Sequence, residues 1–271
     1  METTELAAID QKKLAELDAK WSDGRQERSS DSISLPFLKI GYDNKDTTTW
    51  GKWTINHEGK DLVADKVTFR PLVNTYKYSN FDFTNKEMVC ETVEMRKWSD
   101  EPIDTKGTLR CGRPLWEHMK NADGEIDKAQ LALWDHVKYE NIIRGLVHFD
   151  DENKNIPCRL VIKRATIRKF KETYLNKLRG NEHIRDHSIE LSTKEQRTGN
   201  VDWHEIIMKP NLKEVIPFDQ ATLDTWVLMN QFIDKRNNEI REKYTEALRE
   251  KNTDKTSIDA LKDALDEETD E

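Results

Sequence analysis

Cysteine is scarce in this chain. Cys90, Cys111 and Cys158 are odd in number and widely spaced. A disulfide framework is therefore not expected, and a reducing cytoplasm suits the chain better. There is no CxxC pair, and no Cys/His set has finger spacing. The nearest approaches are His183, His187 and His204, or Cys111 with His118, so neither metal nor cofactor is expected. Long apolar runs are also missing. Nothing nears the roughly 18 consecutive apolar residues that a membrane span requires. The opening METTELAAIDQKK lacks the basic-then-apolar layout of a signal peptide. Phosphate-cradling and nucleophile motifs are absent as well: no Gly-Lys-Ser/Thr loop, GxGxxG, GxSxG or HExxH occurs. Asp150-Asp151-Glu152 sits in an Asn-rich turn and reads as a solvated loop, not a metal-binding carboxylate pair. The chain is expected not to be an enzyme.

Charge and aromatic rings are abundant. Charged and hydrophobic residues each make up 35% of the 271 residues, with eight Trp, eight Phe and six Tyr. So many rings argue for a folded body with solvated extensions, not a wholly disordered chain. The net charge of -8 is unevenly placed. Residues 254–271 hold eight acids and two lysines, whereas residues 157–179 hold eight bases and one acid. Opposite charges sorted to different segments suggest a basic binding surface and a separate acidic tail.

Periodicity divides the chain into three parts. Residues 1–34 form an expected helix (4–21, with Leu6, Ile9, Leu14, Leu17 and Trp21 near one stripe) and a polar linker. Residues 35–251 form an α+β, β-rich domain. Its strand candidates are 35–42, 49–56, 66–73, 76–83, 88–98, 139–149, 157–164, 187–193 and 202–209. Asp43-Asn44, Glu58-Gly59, Ser79-Asn80 and Ser99-Asp100 are the expected turns. Helices are expected at 126–138, 166–178 and 220–251, the last capped by Asp219. Along it Leu223, Trp226, Asn230, Ile233, Asn237, Ile240 and Tyr244 recur at three- and four-residue steps. This stripe suits a helix packed on the body; a homo-oligomer contact stays open, although two Asn make a weak zipper. Residues 252–271 read as an acidic, mobile tail.

The candidate chemistry is recognition of a polyanion. Single-stranded nucleic acid exposes base faces and phosphates, so its binder needs flat rings beside cations. The strand region offers Trp50, Trp53, Arg70, Tyr76, Lys77, Tyr78, Phe81, Arg96, Lys97, Trp98, Arg110 and Arg113. The basic run adds Arg159, Lys163 and Arg164. Core burial competes for each ring, and an ordinary solvated helix face competes for the basic run. The tail acids Asp266, Glu267, Glu268, Asp270 and Glu271 suit partner docking or competition for the basic groove, against the plainer role of a solubility tail.

The order of these features resembles a divergent group of phage single-stranded-DNA-binding proteins. The resemblance is carried by Leu35-Pro36-Phe37-Leu38-Lys39-Ile40, Gly51-Lys52-Trp53, Ile156-Pro157, Arg159-Leu160-Val161-Ile162-Lys163, the strand pair containing Trp203, and the long helix before an acidic end. It covers about residues 35–271 and is one of layout. It implies an OB-fold-like Greek-key barrel, an open face that holds oligonucleotides, and a place in the cytoplasm of an infected bacterial host. It also implies replication or recombination proteins as partners of the tail. The helix and linker at 1–34 and the wide strand spacing near 100–138 depart from that layout. The rival readings are a strand-annealing recombination protein, a structural or scaffolding virion protein and a metal-dependent nuclease.

Overall fold

The structure is a computed structural model that describes residues 35–42, 48–97, 99–120, 124–199 and 201–267, with side chains as far as Asn252. The expected helix and linker at 1–34 lie outside the described residues. The chain is α+β and strand-rich. Its strands are β1 (Phe37–Ile40), β2 (Trp53–His57), β3 (Lys60–Ala64), β4 (Lys66–Asp82), β5 (Glu87–Glu91), β6 (Lys138–His148), β7 (Ile156–Lys163), β8 (Ser188–Thr198) and β9 (Val201–Asn211). Helix α1 spans Lys128–His136, α2 Ala165–Thr173 and α3 Gln220–Glu267. One nine-stranded sheet runs β3-β2-β1-β7-β6-β4-β8-β9, with β5 also on β4. Among the described pairings it is not closed. No helix among the described residues is long and apolar enough to cross a membrane.

Contacts divide the described residues into two compact units. The first holds those up to 76 and those of 140–234, the second those of 77–139 and those from 235 onward. In the first unit β7 alternates cleanly. Ile156, Cys158, Leu160 and Ile162 are buried, while Pro157, Arg159, Val161 and Lys163 point the other way. The inward set joins Leu38, Ile40, Trp53, Ile55, Val67, Phe69, Ile143, Val147, Ile189 and Leu191 in the main core. Helix α2 covers that core with Phe170, and Tyr174 at its C-cap adds a second ring to the same core. The Tyr174 hydroxyl donates to the Ile184 carbonyl at 2.6 Å, satisfying its one polar atom in an otherwise dry site.

A second core lies under the first turns of α3, where Leu223, Trp226, Met229 and Ile233 meet Leu35, Leu72, Val73 and Leu146. The predicted stripe is therefore buried within this chain, and so are the asparagines on it. Asn230 Nδ2 donates to the Trp226 carbonyl at 2.8 Å. In the second unit Asn237 takes the Glu94 N–H at 2.7 Å and gives its own N–H to the Glu94 carbonyl at 3.0 Å. That two-way match to an extended backbone is why an amide sits on an apolar seam.

Three local expectations change. The strands foreseen at 66–73 and 76–83 are one 17-residue strand. Ser79-Asn80 is not a turn; the ladder with β5 shifts register between Asn80 and Phe81, which bends the strand without ending it. The expected Glu58-Gly59 turn holds, with φ of 51° and 79°, and it opens onto β3, a strand the sequence did not suggest. The tail expected to be mobile from residue 252 is helical to Glu267. Residues 253–267 contain neither Gly nor Pro, so nothing local stops α3 there.

Within the first unit the loop before β2 meets β8 and β9 at Gly51. The Thr193 hydroxyl donates to the Gly51 carbonyl, and Trp50 sits edge-on to His204 with ring centroids 4.8 Å apart. Gly51 has φ of 72°, and a Cβ there would lie 2.3 Å from the His204 ring. Only glycine meets both demands.

Candidate nucleic-acid interface

Two of the expected contact residues are structural. Trp53 is fully buried in the main core, where a base cannot reach its ring. Arg70 is also buried. Its Nε donates to the Arg185 carbonyl at 2.7 Å, Nη1 to Pro217 at 3.1 Å and Nη2 to Ile216 at 3.0 Å. Burial pulls the guanidinium below its ordinary value, and Asp219 and Asp186 partly offset this. Sequence alternation placed Arg70 opposite Val67 and Phe69, but did not show that the opposite face is covered. Trp50 is held by His204 at the sheet edges, and the half-buried Tyr76 accepts the Asn74 Nδ2 hydrogen at 3.0 Å.

The basic run is partly offset by two acids from elsewhere in the sequence and by its own Glu172. Lys163 pairs with Glu140, its cross-strand neighbour, at 2.6 Å. Lys169 pairs with Glu205 at 2.6 Å, and Arg168 with Glu172 at 2.7 Å. The hydrogen bonds from Lys169 and Gln196 hold Glu205 below the usual carboxylate range. Arg164 is exposed at the start of α2 with φ of 50°. Of the run's three candidates, Arg159 alone meets a ring. Its guanidinium lies 3.7 Å from the centroid of Phe37, which is 48% exposed. The parallel pairing of β1 with β7 sets Phe37 directly beside Arg159.

The second unit gathers more rings. Tyr78 on β4 and Tyr139 on β6 have centroids 4.9 Å apart. Arg113 lies 5.9 Å from the Tyr78 ring and 3.7 Å from that of Trp134 on α1. Trp134 meets Trp116 at 5.4 Å in a near-perpendicular contact. The result is a continuous series, Tyr139–Tyr78–Arg113–Trp134–Trp116, ending on an indole that is 58% exposed. Burial pushes the Tyr78 hydroxyl above its ordinary value, and Arg113 and Arg110 oppose that rise. At the tip of the β4–β5 hairpin, Phe81 meets Phe83 at 5.1 Å, and Phe83 is 77% exposed.

Local sequence explains the placement. Asp127 caps α1 by accepting from the Ala129 and Gln130 amides at 2.7 and 3.3 Å. The capped helix buries none of its own residues, leaving Leu131 and Leu133 exposed beside Trp134. Val137 just beyond it is buried against Tyr78, Cys90 and Cys111 and ties the segment down.

The remaining candidates of this unit are less open or more peripheral. Lys77 pairs with Glu91 at 3.2 Å, and Glu91 also takes Arg236. Arg96 is half-buried, with its backbone amide donating to Asp100 at 2.8 Å, while Lys97 is exposed. Trp98 lies outside the described residues. Asp266 and Glu267 fall on α3, whereas Glu268, Asp270 and Glu271 lie outside the described residues. Trp116 and Trp134 were not among the candidates. Trp134 falls within the helix expected over 126–138, where a ring suits packing, and Trp116 sits in a short 3-10 turn with no periodicity to mark it.

The described residues also contain one group of potential metal ligands, Cys90, Asp104 and Cys111, all buried. Twenty residues separate the two cysteines, and no spacing rule links them. Compared with protein-family models, curated proteins and solved structures, the chain matches none of them.

Proposed function

We propose that this protein binds single-stranded DNA without catalysing a reaction on it, as the phage proteins it resembles in layout do. The observation that carries the reading is the Tyr139–Tyr78–Arg113–Trp134–Trp116 series. A guanidinium over the Trp134 ring and within 5.9 Å of Tyr78, in a series that ends on an exposed indole, offers bases a π face and a phosphate a cation at one place. The Phe81–Phe83 pair and the Phe37–Arg159 pair are further stacking points of the same chemistry. An OB-like barrel belongs to this proposal. It is supported by the contact of the loop before β2 with β8 and β9 at Gly51 and by the helical cover over the main core. So do a place in the infected host's cytoplasm and a role for the acidic end in docking replication or recombination partners.

Titration of labelled oligo-dT with the full chain over a salt series tests the reading. Binding that weakens steeply with salt, together with quenching of indole fluorescence, is expected. Absence of binding at low salt defeats it. Removing residues 254–271 is expected to tighten binding, because the acidic end competes with DNA for cations; unchanged affinity takes the tail out of the mechanism.

A further inference from the structure

The cysteine pair of the second unit has no part in the reading above. Cys90 lies on β5, and Cys111 lies in the 3-10 turn Arg110–Gly112. Their sulfurs and an Asp104 carboxylate oxygen all fall within 4.8 Å of one another. The backbone is held in an uncommon state to achieve this. Arg110, Cys111 and Gly112 have φ of 57°, 54° and 74°, a left-handed run that side-chain-bearing residues adopt only when their surroundings impose it.

Asp104 imposes it. Its Oδ1 accepts the Lys106 and Thr108 amides at 2.9 Å each, and its Oδ2 accepts the Thr108 hydroxyl at 2.6 Å and the Cys111 amide at 2.8 Å. An ionised carboxylate offers about four lone-pair sites, and four donors fill them. Asp104 therefore has no lone pair left for a cation. What remains is two thiols held against each other.

We propose that Cys90 and Cys111 form a reversible dithiol–disulfide couple, oxidised within the chain by a hydroperoxide. Cys90 is the attacking sulfur. The Thr105 hydroxyl donates to its sulfur at 3.7 Å, and the neighbouring Cys111 thiol holds it below the ordinary thiol range. Cys111 donates its own S–H to the Tyr78 carbonyl at 3.7 Å and is pushed up by Cys90 and by burial, so it keeps its proton until it resolves. The Cys90 thiolate attacks one oxygen of hydrogen peroxide. The O–O bond breaks, Cys90 becomes a sulfenic acid, and the released hydroxide takes up the proton Cys90 had lost. The Cys111 sulfur then attacks the Cys90 sulfur. The S–S bond forms, the S–O bond breaks, and the departing hydroxide leaves with the Cys111 proton as a second water. Two thiols are oxidised to one disulfide, and one peroxide is reduced to two waters. The bridge fastens the Arg110–Gly112 turn to β5.

The test treats the full chain with a small excess of hydrogen peroxide, alkylates free thiols in denaturant and maps the peptides by mass. The expected result is a Cys90–Cys111 linked peptide that dithiothreitol abolishes, with Cys158 still alkylated. Cys158 is fully buried, with its thiol pushed up by burial, and serves as the internal control. The oxidised chain should also melt at a higher temperature than the reduced one. In Cys111→Ser, Cys90 should be trapped by dimedone as the sulfenic acid. Three alkylated thiols after treatment, a link through Cys158, or links between chains overturn the proposal. So does stoichiometric zinc that shields both thiols from alkylation. The wild-type map decides the matter even if the variant fails to fold.

Discussion

Arginine meets aromatic rings in both units, and apart from the open Phe37–Arg159 pair of the first unit the surroundings differ. In the first unit Arg70 and Arg185 lie 5.8 and 5.1 Å from the Phe218 ring, and Arg185 lies 5.0 Å from Trp226. Arg144 lies 5.7 Å from Phe232. All three arginines are buried, and Arg70 gives its hydrogens to three backbone carbonyls. In the second unit Arg113 stacks on Trp134 at 3.7 Å and stays half-buried, beside an exposed Trp116. The same pair of residue types is covered in one place and borders an exposed indole in the other. What separates them is how far the rings around the guanidinium are buried.

The largest expected effect tests the structural side of that contrast. Arg70→Met leaves the carbonyls of Arg185, Ile216 and Pro217 without their donor in a covered site. The loss should be about 3 kcal/mol or more, read as a lower urea midpoint. Oligo-dT affinity per folded molecule should stay unchanged. A variant that folds normally but binds poorly would move Arg70 to the ligand side and erase the contrast. Next in size is Trp116→Ala on the open side. Stacking is worth about 1–3 kcal/mol per base, so a roughly tenfold or greater rise in Kd is expected, with little loss of stability. Unchanged Kd would strip the ring series of its role.

How much of this was legible follows from what each pattern reports. Alternation in β7 and the stripe of α3 from Leu223 to Ile240 could be read because two-residue and 3.6-residue periods mark a buried face. Neither period says what covers the opposite face, and so Arg70 and Trp53 looked as available as Arg113. Pairing partners are equally silent in sequence. Lys163 appeared to add charge to a basic surface until β6 brought Glu140 beside it. Trp116 stands in a turn without any period, and β3 is a five-residue strand with two charges. The Cys90–Cys111 meeting depends on a left-handed turn set by Asp104, which no spacing rule encodes.

A smaller effect concerns the acid beside Arg70. Asp219 caps α3, accepting the Thr222 amide at 2.8 Å. Its carboxyl is held below the usual range by the Thr222 hydroxyl and amide, with a further contribution from Arg70. A carboxyl depressed in the folded state contributes stability above its unfolded pKa of about 3.9, and that contribution is lost as pH falls through the folded value. Asp219→Ala should therefore cost about 1 kcal/mol at pH 7. The gap from wild type should close on acidification below about pH 4. Thermal melts of both proteins across pH 7 to 3 check this; a gap that is undiminished at pH 3 would assign the loss to packing.

The smallest expected effect distinguishes charge from shape at Arg113. A lysine there keeps the cation but loses the planar fork that lies flat on Trp134. A glutamine loses both. If Arg113 both stacks and neutralises one phosphate, Arg113→Gln should lower the slope of log K against log salt by about 0.7, the single-strand value for one contact. Arg113→Lys should preserve the slope and weaken binding at every salt concentration by about 0.5–1 kcal/mol, the size of an exposed cation–π contact. Equal slopes in all three proteins would mean that the guanidinium only braces the rings, as its buried counterparts do around Phe218. The contrast between the units would then be one of exposure alone.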